Sequence, residues 1–204
     1  MDVIRRYIYS ALRLCREPIN VMIDPDKITG RLGNRMFQTA FLIAFASQAK
    51  TDIWFQDQKW FIGAKDKVRK MFSDGITGDI DRVSIHVRRG DYVTQHKNFY
   101  YNLTETDYYT LAMAHFPDDK FLIFSDDIEW CKTRFLGERF EFSEGKSDVE
   151  DMNLMASCKH NIIANSSFSW WGAWLNPNPN KVVIGPKLWA RGFEAKMPST
   201  WILI

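Results

Sequence analysis

Residues 161–175 read NIIANSSFSWWGAWL in one-letter code, and this stretch decides the fold class. An apolar segment, predicted as a strand over 161–164, runs through a short polar turn into a predicted helix over 167–175. The turn is Asn165-Ser166-Ser167. Backbone N–H groups at the start of a helix lack partners within it, so this junction favours an anion site. The alternative is that Ser166 or Ser167 only caps the helix.

The same alternation of strand and helix recurs throughout residues 79–204. We predict further strands over 82–87, 120–124, 139–142 and 181–184, with helices between them. This order favours an α/β fold with an open parallel sheet that helices cover on both faces. Ligands of such sheets bind beyond the carboxyl ends of the strands.

The helices of this part begin at recognisable capping signals. Ser125 is predicted to cap the helix that follows the strand over 120–124, and Thr104 and Asp107 resemble a capping box for another. Ser147 and Glu150 have the spacing of a capping box in the strict sense. The tryptophans of residues 167–175 are expected to be packing residues.

Residues 1–78 form a separate, smaller region with fewer predicted elements. We expect strands over 19–23 and 52–55, a short helix over 65–72, and a long amphipathic helix that opens at Gly33-Asn34. A glycine turn before a helix lets a ligand approach the backbone closely. Residues 30–38 match neither the dinucleotide fingerprint nor the P-loop, so those classes of nucleotide site are not favoured.

Charge and cysteine content limit the partners and the compartment. The chain of 204 residues has 27 basic and 25 acidic side chains, a net charge of +2, which excludes nucleic-acid binding as the main function. Three widely spaced cysteines are not a disulfide framework, so a reducing, cytoplasmic location is expected. Residues 1–16 predict an amphipathic helix, which packs on the body or lies peripherally on an anionic membrane.

Polar side chains follow three of the predicted strands. They are Arg88-Arg89-Gly90-Asp91, Ser125-Asp126-Asp127 and Asn165-Ser166-Ser167, and all three sets could line one cleft. Adjacent arginines at a strand end suit a diphosphate, because guanidinium groups bind phosphate oxygens in a bidentate manner. The alternative is a solvated pair of arginines with a salt bridge to Asp91.

Metal binding has weak support in the sequence. Two Asp-x-Asp triplets, at 24–26 and 79–81, are of a type that can hold a divalent ion on a sugar nucleotide, but such triplets also arise by chance. No His/Cys cluster has the spacing of a zinc site. We therefore predict no metal site.

Four ordered motifs resemble those of the α-1,2-fucosyltransferases, glycosyltransferase family 11. They are GRLGNRMFQ over 30–38, HVRRGDY over 86–92, FSDD over 124–127, and the long motif over 151–175. Any one of them is moderate evidence, whereas all four in the same order are strong. The resemblance covers most of the chain.

The resemblance implies a GT-B-like fold, in which a Rossmann-type domain over 79–204 binds GDP-fucose and a reduced α/β region over 1–78 faces the acceptor. The implied reaction is an inverting, metal-independent transfer of fucose to the 2-hydroxyl of a terminal galactoside, with no cofactor. His86 and Asp151 would contact guanine, while Arg88 or Arg89 would hold the β-phosphate together with Ser167. Asp126, Asn165, Ser166, Gly33 and Asn34 complete the implied donor site.

A single displacement needs one base for the acceptor hydroxyl. Asp91 is the first candidate because it follows the arginines directly, and Asp126 and Asp127 come next; alternatively, Asp91 orients the arginines.

Only 51 residues separate Asn34 from His86, fewer than in family members generally, so the acceptor half is expected to be shortened. A GDP-sugar- or glycan-binding protein without activity, and a transferase with another acceptor, are the competing hypotheses.

Overall fold

The computed structural model describes residues 31–47, 62–194 and 197–204, and the chain divides into two compact units between Asp74 and Gly75. The strands predicted over 19–23 and 52–55, the helix over 1–16 and the triplet over 24–26 lie outside the described residues. The roles assigned to the two halves of the chain stay predictions.

The first unit contributes two described helices, α1 (Leu32–Ser47) and α2 (Lys65–Phe72), with a 3-10 helix over Ile62–Ala64 before α2. Both α-helices were predicted from the apolar periodicity. Gly33 and Asn34 lie in the first turn of α1, where the sequence places the turn-to-helix junction.

The second unit is built on a six-stranded sheet in which every neighbouring pair is parallel, in the order β3-β2-β1-β4-β5-β8. With β8 in sixth place, this is the strand order of the Rossmann fold. The strands are β1 (Ile80–Val87), β2 (Phe121–Ser125), β3 (Phe140–Phe142), β4 (Cys158–Ile162), β5 (Val183–Gly185) and β8 (Ile202–Leu203). The predicted open parallel sheet is confirmed.

Five α-helices and a small antiparallel hairpin complete this unit. The helices are α3 (Gly90–Val93), α4 (Tyr108–Met113), α5 (Ile128–Arg134), α6 (Asp148–Ser157) and α7 (Ser167–Leu175), and a 3-10 helix covers Leu103–Glu105. The hairpin joins β6 (Leu188–Ala190) and β7 (Phe193–Glu194). No helix in the described segments is long and apolar enough to cross a membrane.

The two faces of β1 differ in chemistry because successive side chains point to opposite sides of the sheet. Val83, Ile85 and Val87 share a buried apolar core with residues of α4 and α5. Ser84, His86 and Arg88 lie on the opposite face, and the His86 ring contacts the Phe168 ring of α7 at 5.4 Å. The polar face of β1 therefore belongs to the side that α6 and α7 cover.

Helix capping follows the sequence in one case and departs from it in two. Ser147 and Glu150 form the predicted capping box at the start of α6. Asp127, and not Ser125, caps α5. The Ser125 hydroxyl instead accepts a hydrogen bond from the backbone N–H of Asp127. Asn102 caps the 3-10 helix that replaces the helix start predicted at Thr104.

The tryptophans of α7 are packing residues, as predicted. Trp170, Trp171 and Trp174 are all buried, and Trp170 also contacts the Trp201 ring at 5.7 Å. A cluster this large fixes α7 on its face of the sheet. The start of α7, where the predicted anion site lies, is held in place by this packing.

A buried amide network joins β1, β4 and the ends of α6 and α7. The Asn161 amide donates to the Ser84 hydroxyl at 2.7 Å and to the Met155 carbonyl at 2.8 Å, and its oxygen accepts from Asn176 at 2.8 Å. Asn176 also donates to the Cys158 carbonyl at 2.6 Å. Every polar atom of the Asn161 side chain has a partner, which is the condition under which a buried amide is tolerated.

We predict that Asn161→Ala lowers the free energy of unfolding by about 2 to 3 kcal/mol, because it leaves several buried donors and acceptors without partners. Urea denaturation of the purified chain measures this change. Asn180→Ala is the matched control: the side chain is exposed, so its truncation should change the stability by about 0.5 kcal/mol or less. Equal effects of the two variants would contradict the structural role of the network.

Candidate active site

The carboxyl ends of β1 and β4 lie next to each other in the middle of the sheet. The chain leaves β1 toward β2 on one side and leaves β4 toward β5 on the other, so the strand order reverses between them. Such a reversal opens a crevice at the edge of the sheet, and ligands of open α/β folds bind there. Two of the three predicted polar sets, those after β1 and β4, flank this point, and the third follows β2.

Arg88 is the buried centre of the polar cluster after β1. Its side chain is 9% exposed, and its two terminal nitrogens donate to different carboxylates, Nη1 to Asp126 and Nη2 to Asp91. The guanidinium carbon also lies 5.0 Å from the centroid of the Tyr92 ring. Of the alternative interpretation, the salt bridge to Asp91 is present, but the arginine side chains are only 9% and 16% exposed and are therefore not a solvated pair.

Asp126 holds the turn that follows β1. One carboxylate oxygen accepts from Arg88, and the other accepts from the backbone N–H of Arg89 at 2.9 Å. A Cβ atom at position 90 would overlap the same carboxylate, so a larger residue there would have to displace the Asp126 side chain. The pairing of β1 with β2, which sets Val87 opposite Ser125, brings the two segments together.

Arg89 lies in a different environment from its neighbour. Its Nε donates to Asp127 at 3.0 Å, its Nη1 donates to the Thr104 hydroxyl at 3.0 Å, and the guanidinium stacks 3.8 Å from the centroid of the Trp130 ring. Its Nη2 has no acceptor among the residues that the structure describes. Arg89 is therefore fixed in orientation and keeps donors for an anion.

The sequence did not single out Trp130 as a site residue, and it assigned Thr104 only to a helix start. Trp130 lies in the first turn of α5, three residues after Asp127, and Thr104 is a side-chain acceptor in the 3-10 helix. An aromatic residue on the polar side of a predicted helix, in a segment expected to lie near two arginines, is a sequence pattern that can indicate cation–π stacking. The Thr104 contact depends on a loop path that no local pattern reveals.

The three candidate bases differ in exposure and contacts. The side chains of Asp91 and Asp126 are 22% and 24% exposed and both bind Arg88, whereas that of Asp127 is 38% exposed and binds Arg89. Asp127 also caps α5 by accepting from the Trp130 N–H at 3.4 Å. The contact of Asp91 with Arg88 is of the kind that the orienting role would need, and that role stays a prediction.

His86 lies beneath this cluster, two residues earlier on the same face of β1. It is buried, and its Nδ1 has no hydrogen-bond partner among the described residues. Burial, and secondarily the charge of Arg88, lower the pKa of His86 to about 3. The imidazole is therefore neutral at physiological pH, and the predicted contact of His86 with guanine would involve a neutral ring.

The junction after β4 has the predicted form of strand, polar turn and helix. Ser166 caps α7 by accepting from the Phe168 N–H at 3.3 Å, and Ser167 is the first residue of α7. Asn165 is buried, and its amide donates to the carbonyls of Tyr101 at 2.9 Å and Trp189 at 2.8 Å. Both amide hydrogens of Asn165 thus hold backbone segments that border the crevice.

Asp151, the second predicted guanine contact, lies in the first turn of α6. Its carboxylate accepts from the buried Ser143 hydroxyl, just past the carboxyl end of β3, at 2.6 Å. Burial raises the pKa of Asp151, and the bond from Ser143 opposes that shift. Ser143 is another residue that sequence reasoning did not single out.

Tyrosine hydroxyls donate to backbone carbonyls at the ends of the central strands. Tyr109 donates to His86 at 3.0 Å, Tyr92 donates to Asn165 at 3.1 Å, and Tyr108 donates to Ile163 and Ile184. Burial raises the pKa of each of these phenols, so all three stay protonated donors. The rim of the crevice is thereby rigid.

The described Asp-x-Asp triplet lies at the other end of the sheet. Asp79 and Asp81 flank the start of β1, about 23 to 30 Å from Arg88 at the rise of an extended strand. Asp81 pairs with Lys159 at 3.6 Å. Within the described segments, no three His, Cys, Asp or Glu side chains come together as a metal site would require.

Comparison with known proteins gives one family. The model for glycosyl transferase family 11 matches residues 54–203. No solved structure matches the chain.

Three curated relatives illustrate the range of similarity. The chain is 38% identical over 126 residues to the O-antigen biosynthesis glycosyltransferase WbnK of Escherichia coli, a match that covers 57% of the chain and 42% of that protein. It is 33% identical over 177 residues to the alpha-1,2-colitosyltransferase of Escherichia coli, covering 74% of the chain and 61% of the relative. The human galactoside alpha-(1,2)-fucosyltransferase 1 is 31% identical over 117 residues, covering 50% and 31%. The chain thus spans only about half of the length of its first relatives.

We predict that His86→Gln makes the free energy of unfolding fall less steeply as the pH is lowered. The unfolded state takes up a proton near pH 6.5, whereas folded His86 does so only near pH 3, so the wild type loses stability as the pH falls between these values. Below pH 6, the free energy of unfolding of the wild type should fall relative to that of the variant by about 1.4 kcal/mol for each pH unit. Urea unfolding at pH 7, 6, 5 and 4 measures the difference, and parallel curves for the two proteins would rule out a buried neutral imidazole.

Proposed function

The chain belongs to glycosyl transferase family 11, and from that premise we propose that it transfers L-fucose from GDP-β-L-fucose to the 2-hydroxyl of a terminal galactoside. The observation that carries the proposal is the position of the arginine pair and the start of α7 on neighbouring strands, at the point where the strand order reverses. This places cationic groups and helix N–H groups where a diphosphate would bind.

The donor would span the carboxyl edge of the sheet. In this proposal the β-phosphate lies against Arg88, Arg89 and Ser167, and guanine lies toward His86 and Asp151, on the face that α6 and α7 cover. Asp126 and Asn165 act through their neighbours, since their described contacts go to arginines and to backbone. Gly33 and Asn34 of α1 stay predicted donor contacts from the first unit.

The reaction would be a single displacement. The bond between fucose C1 and the β-phosphate oxygen breaks and its electron pair leaves with GDP, while the galactose 2-oxygen bonds to C1 from the opposite side. The hydroxyl proton passes to a carboxylate or to solvent. We give Asp91 the orienting role, because its carboxylate is bound to Arg88.

Catalysis would come from electrostatic stabilisation of the leaving group. Negative charge grows on the departing diphosphate in the transition state, and N–H donors already aimed at it need no reorganisation when it forms. Arg88 and Arg89 are fixed by carboxylates, by Thr104 and by two aromatic rings. Fixed guanidinium groups can do what Mg²⁺ does elsewhere, so the proposed reaction needs no metal and no cofactor.

A second candidate differs only in the donor sugar. The relative that shares 33% identity across 74% of the chain is named for colitosyl transfer. Colitose is L-fucose without its 3-hydroxyl group, so the same phosphate and guanine contacts would serve both donors. The GT-B-like arrangement, with residues 1–78 on the acceptor side, is part of the same proposal.

We predict that the purified chain converts GDP-fucose and a β-galactoside such as lactose into an α-1,2-fucosylated product, and that Arg89→Ala lowers kcat/KM at least about 100-fold. Arg134→Ala is the matched control, because Arg134 lies 5.7 Å from the same Trp130 ring but is exposed and pairs with no carboxylate among the residues that the structure describes. Product analysis by mass spectrometry and NMR measures yield and linkage. GDP binding without any turnover would instead identify a binding protein.

A panel of GDP-fucose, GDP-colitose, GDP-mannose and UDP-galactose separates the donor hypotheses. We expect turnover with GDP-fucose, and turnover with GDP-colitose alone would select the second candidate.

Addition of EDTA should leave the rate of transfer within about twofold, because the proposed leaving-group stabilisation comes from arginine and backbone N–H groups. Loss of activity in EDTA with recovery by Mg²⁺ or Mn²⁺ would contradict the metal-independent mechanism.

A further inference from the structure

One aromatic side chain lies exposed on a segment that is tied to the candidate site. Phe99 is 42% exposed and belongs to the loop between α3 and the 3-10 helix. The other exposed large apolar side chains of the described residues are Leu111, Leu136, Leu188 and Ile202. Phe99 is the aromatic member of this set, and ring contacts connect it to the arginine cluster.

The ring contacts run from Arg88 outward. Arg88 lies over Tyr92 at 5.0 Å, Tyr92 stacks on Tyr100 with centroids 3.8 Å apart and planes at 1°, and Tyr100 meets Phe99 edge-on at 4.8 Å and 88°. A perpendicular contact of this kind is a favoured geometry for aromatic pairs. The orientation of the Phe99 ring is therefore set by rings that begin at the buried arginine.

The backbone around Phe99 is equally well anchored. The Phe99 carbonyl accepts from the Arg191 N–H at 2.8 Å, and Tyr100 forms an antiparallel bridge with Ala190 of β6. Asn165 fixes the next residue by donating to the Tyr101 carbonyl at 2.9 Å. A residue from the carboxyl end of β4 thus holds the loop that presents Phe99.

Exposed polar residues precede Phe99 in its loop. Residues 94–98, Thr-Gln-His-Lys-Asn, are all exposed, and Arg191 is exposed on the neighbouring strand connection. The exposed part of one phenyl ring amounts to roughly 100 Å², which is far below the ~800 Å² per partner of a stable protein interface. A small apolar surface with a rim of hydrogen-bonding groups fits one sugar ring.

We propose that Phe99 is a stacking surface for the galactose ring of the acceptor, an inference that rests on the proposed function. A β-galactoside has an apolar face, because its axial 4-hydroxyl leaves the C–H groups of carbons 3, 4 and 5 together on the other side of the ring. The 2-hydroxyl is equatorial and projects from the ring edge. Stacking on the C–H face leaves that hydroxyl uncovered for the transfer.

The proposal gives the second unit a part in acceptor binding. The sequence assigns the acceptor side to residues 1–78, whereas Phe99 lies in the unit that carries the arginine pair. The continuous contacts from Arg88 to Phe99 suit a residue that must present one hydroxyl close to the phosphate-bound sugar carbon. Phe99 would thus contribute to the choice of acceptor and not to donor binding.

The test is Phe99→Ala, compared with Phe99→Tyr and with the control Leu136→Ala, whose side chain is 73% exposed at the end of α5. We expect the KM for lactose to rise about tenfold in Phe99→Ala, with kcat and the calorimetric affinity for GDP within about twofold of wild type. Phe99→Tyr should restore most of the KM, and Leu136→Ala should change nothing.

Binding of lactose and methyl β-galactoside, measured by saturation-transfer NMR with GDP present, separates this inference from the proposed function. Galactoside signals that weaken in Phe99→Ala support the stacking surface even in a protein that does not turn over. An unchanged lactose KM in Phe99→Ala, with a wild type that transfers fucose, overturns the stacking surface alone. A wild type that neither binds nor fucosylates any galactoside overturns both.

Discussion

The guanidinium group of Arg88, held between the carboxylates of Asp91 and Asp126, is the interaction on which the candidate site depends. A charge this deeply buried is tolerated only when ion pairs and hydrogen bonds replace its hydration. The two carboxylates come from different segments, one that follows β1 and one that follows β2. The pairing therefore fixes both loops, and the Asp126 carboxylate occupies the space that a Cβ atom at position 90 would take.

The carboxyl edge of the sheet is rigid for a second reason. Where the strands of a parallel sheet end, their last carbonyl oxygens have no N–H donor on a neighbouring strand. Leaving a buried carbonyl without a donor lowers the stability of the folded state. Tyrosine hydroxyls supply these donors to His86, Asn165, Ile163 and Ile184. Asn165 extends the same solution outward by holding the Tyr101 and Trp189 carbonyls. The helices on both faces of the sheet and the tyrosines at its edge thus hold the polar residues of the candidate site in defined positions.

The sequence predicts the elements well because its signals for them are local. Apolar periodicity gives α2 and α7 with their observed bounds, and the Ser147–Glu150 spacing gives the cap of α6. The arginine pair, Asp126, Asp127 and the turn at Asn165 are also marked, since polar residues directly after apolar strands have few structural reasons to be there. What the sequence misses depends on distant contacts. The Ser125 hydroxyl bonds a backbone N–H instead of capping α5, and the partners of Arg89, Thr104 and Trp130, come from loops whose paths only the folded chain defines.

The charges around the arginine pair explain how a tight site could still release its product. Two guanidinium groups face three carboxylates, so these five side chains together have no excess of positive charge and give a resting diphosphate little long-range attraction. Its directional N–H donors act over a short range, and their effect is greatest where negative charge grows during bond cleavage. Interactions that strengthen in the transition state raise kcat, whereas uniform attraction for GDP would only slow its departure. In the proposed transfer, the carboxylates that orient Arg88 and Arg89 therefore also weaken the hold on the product, and one set of contacts serves both requirements.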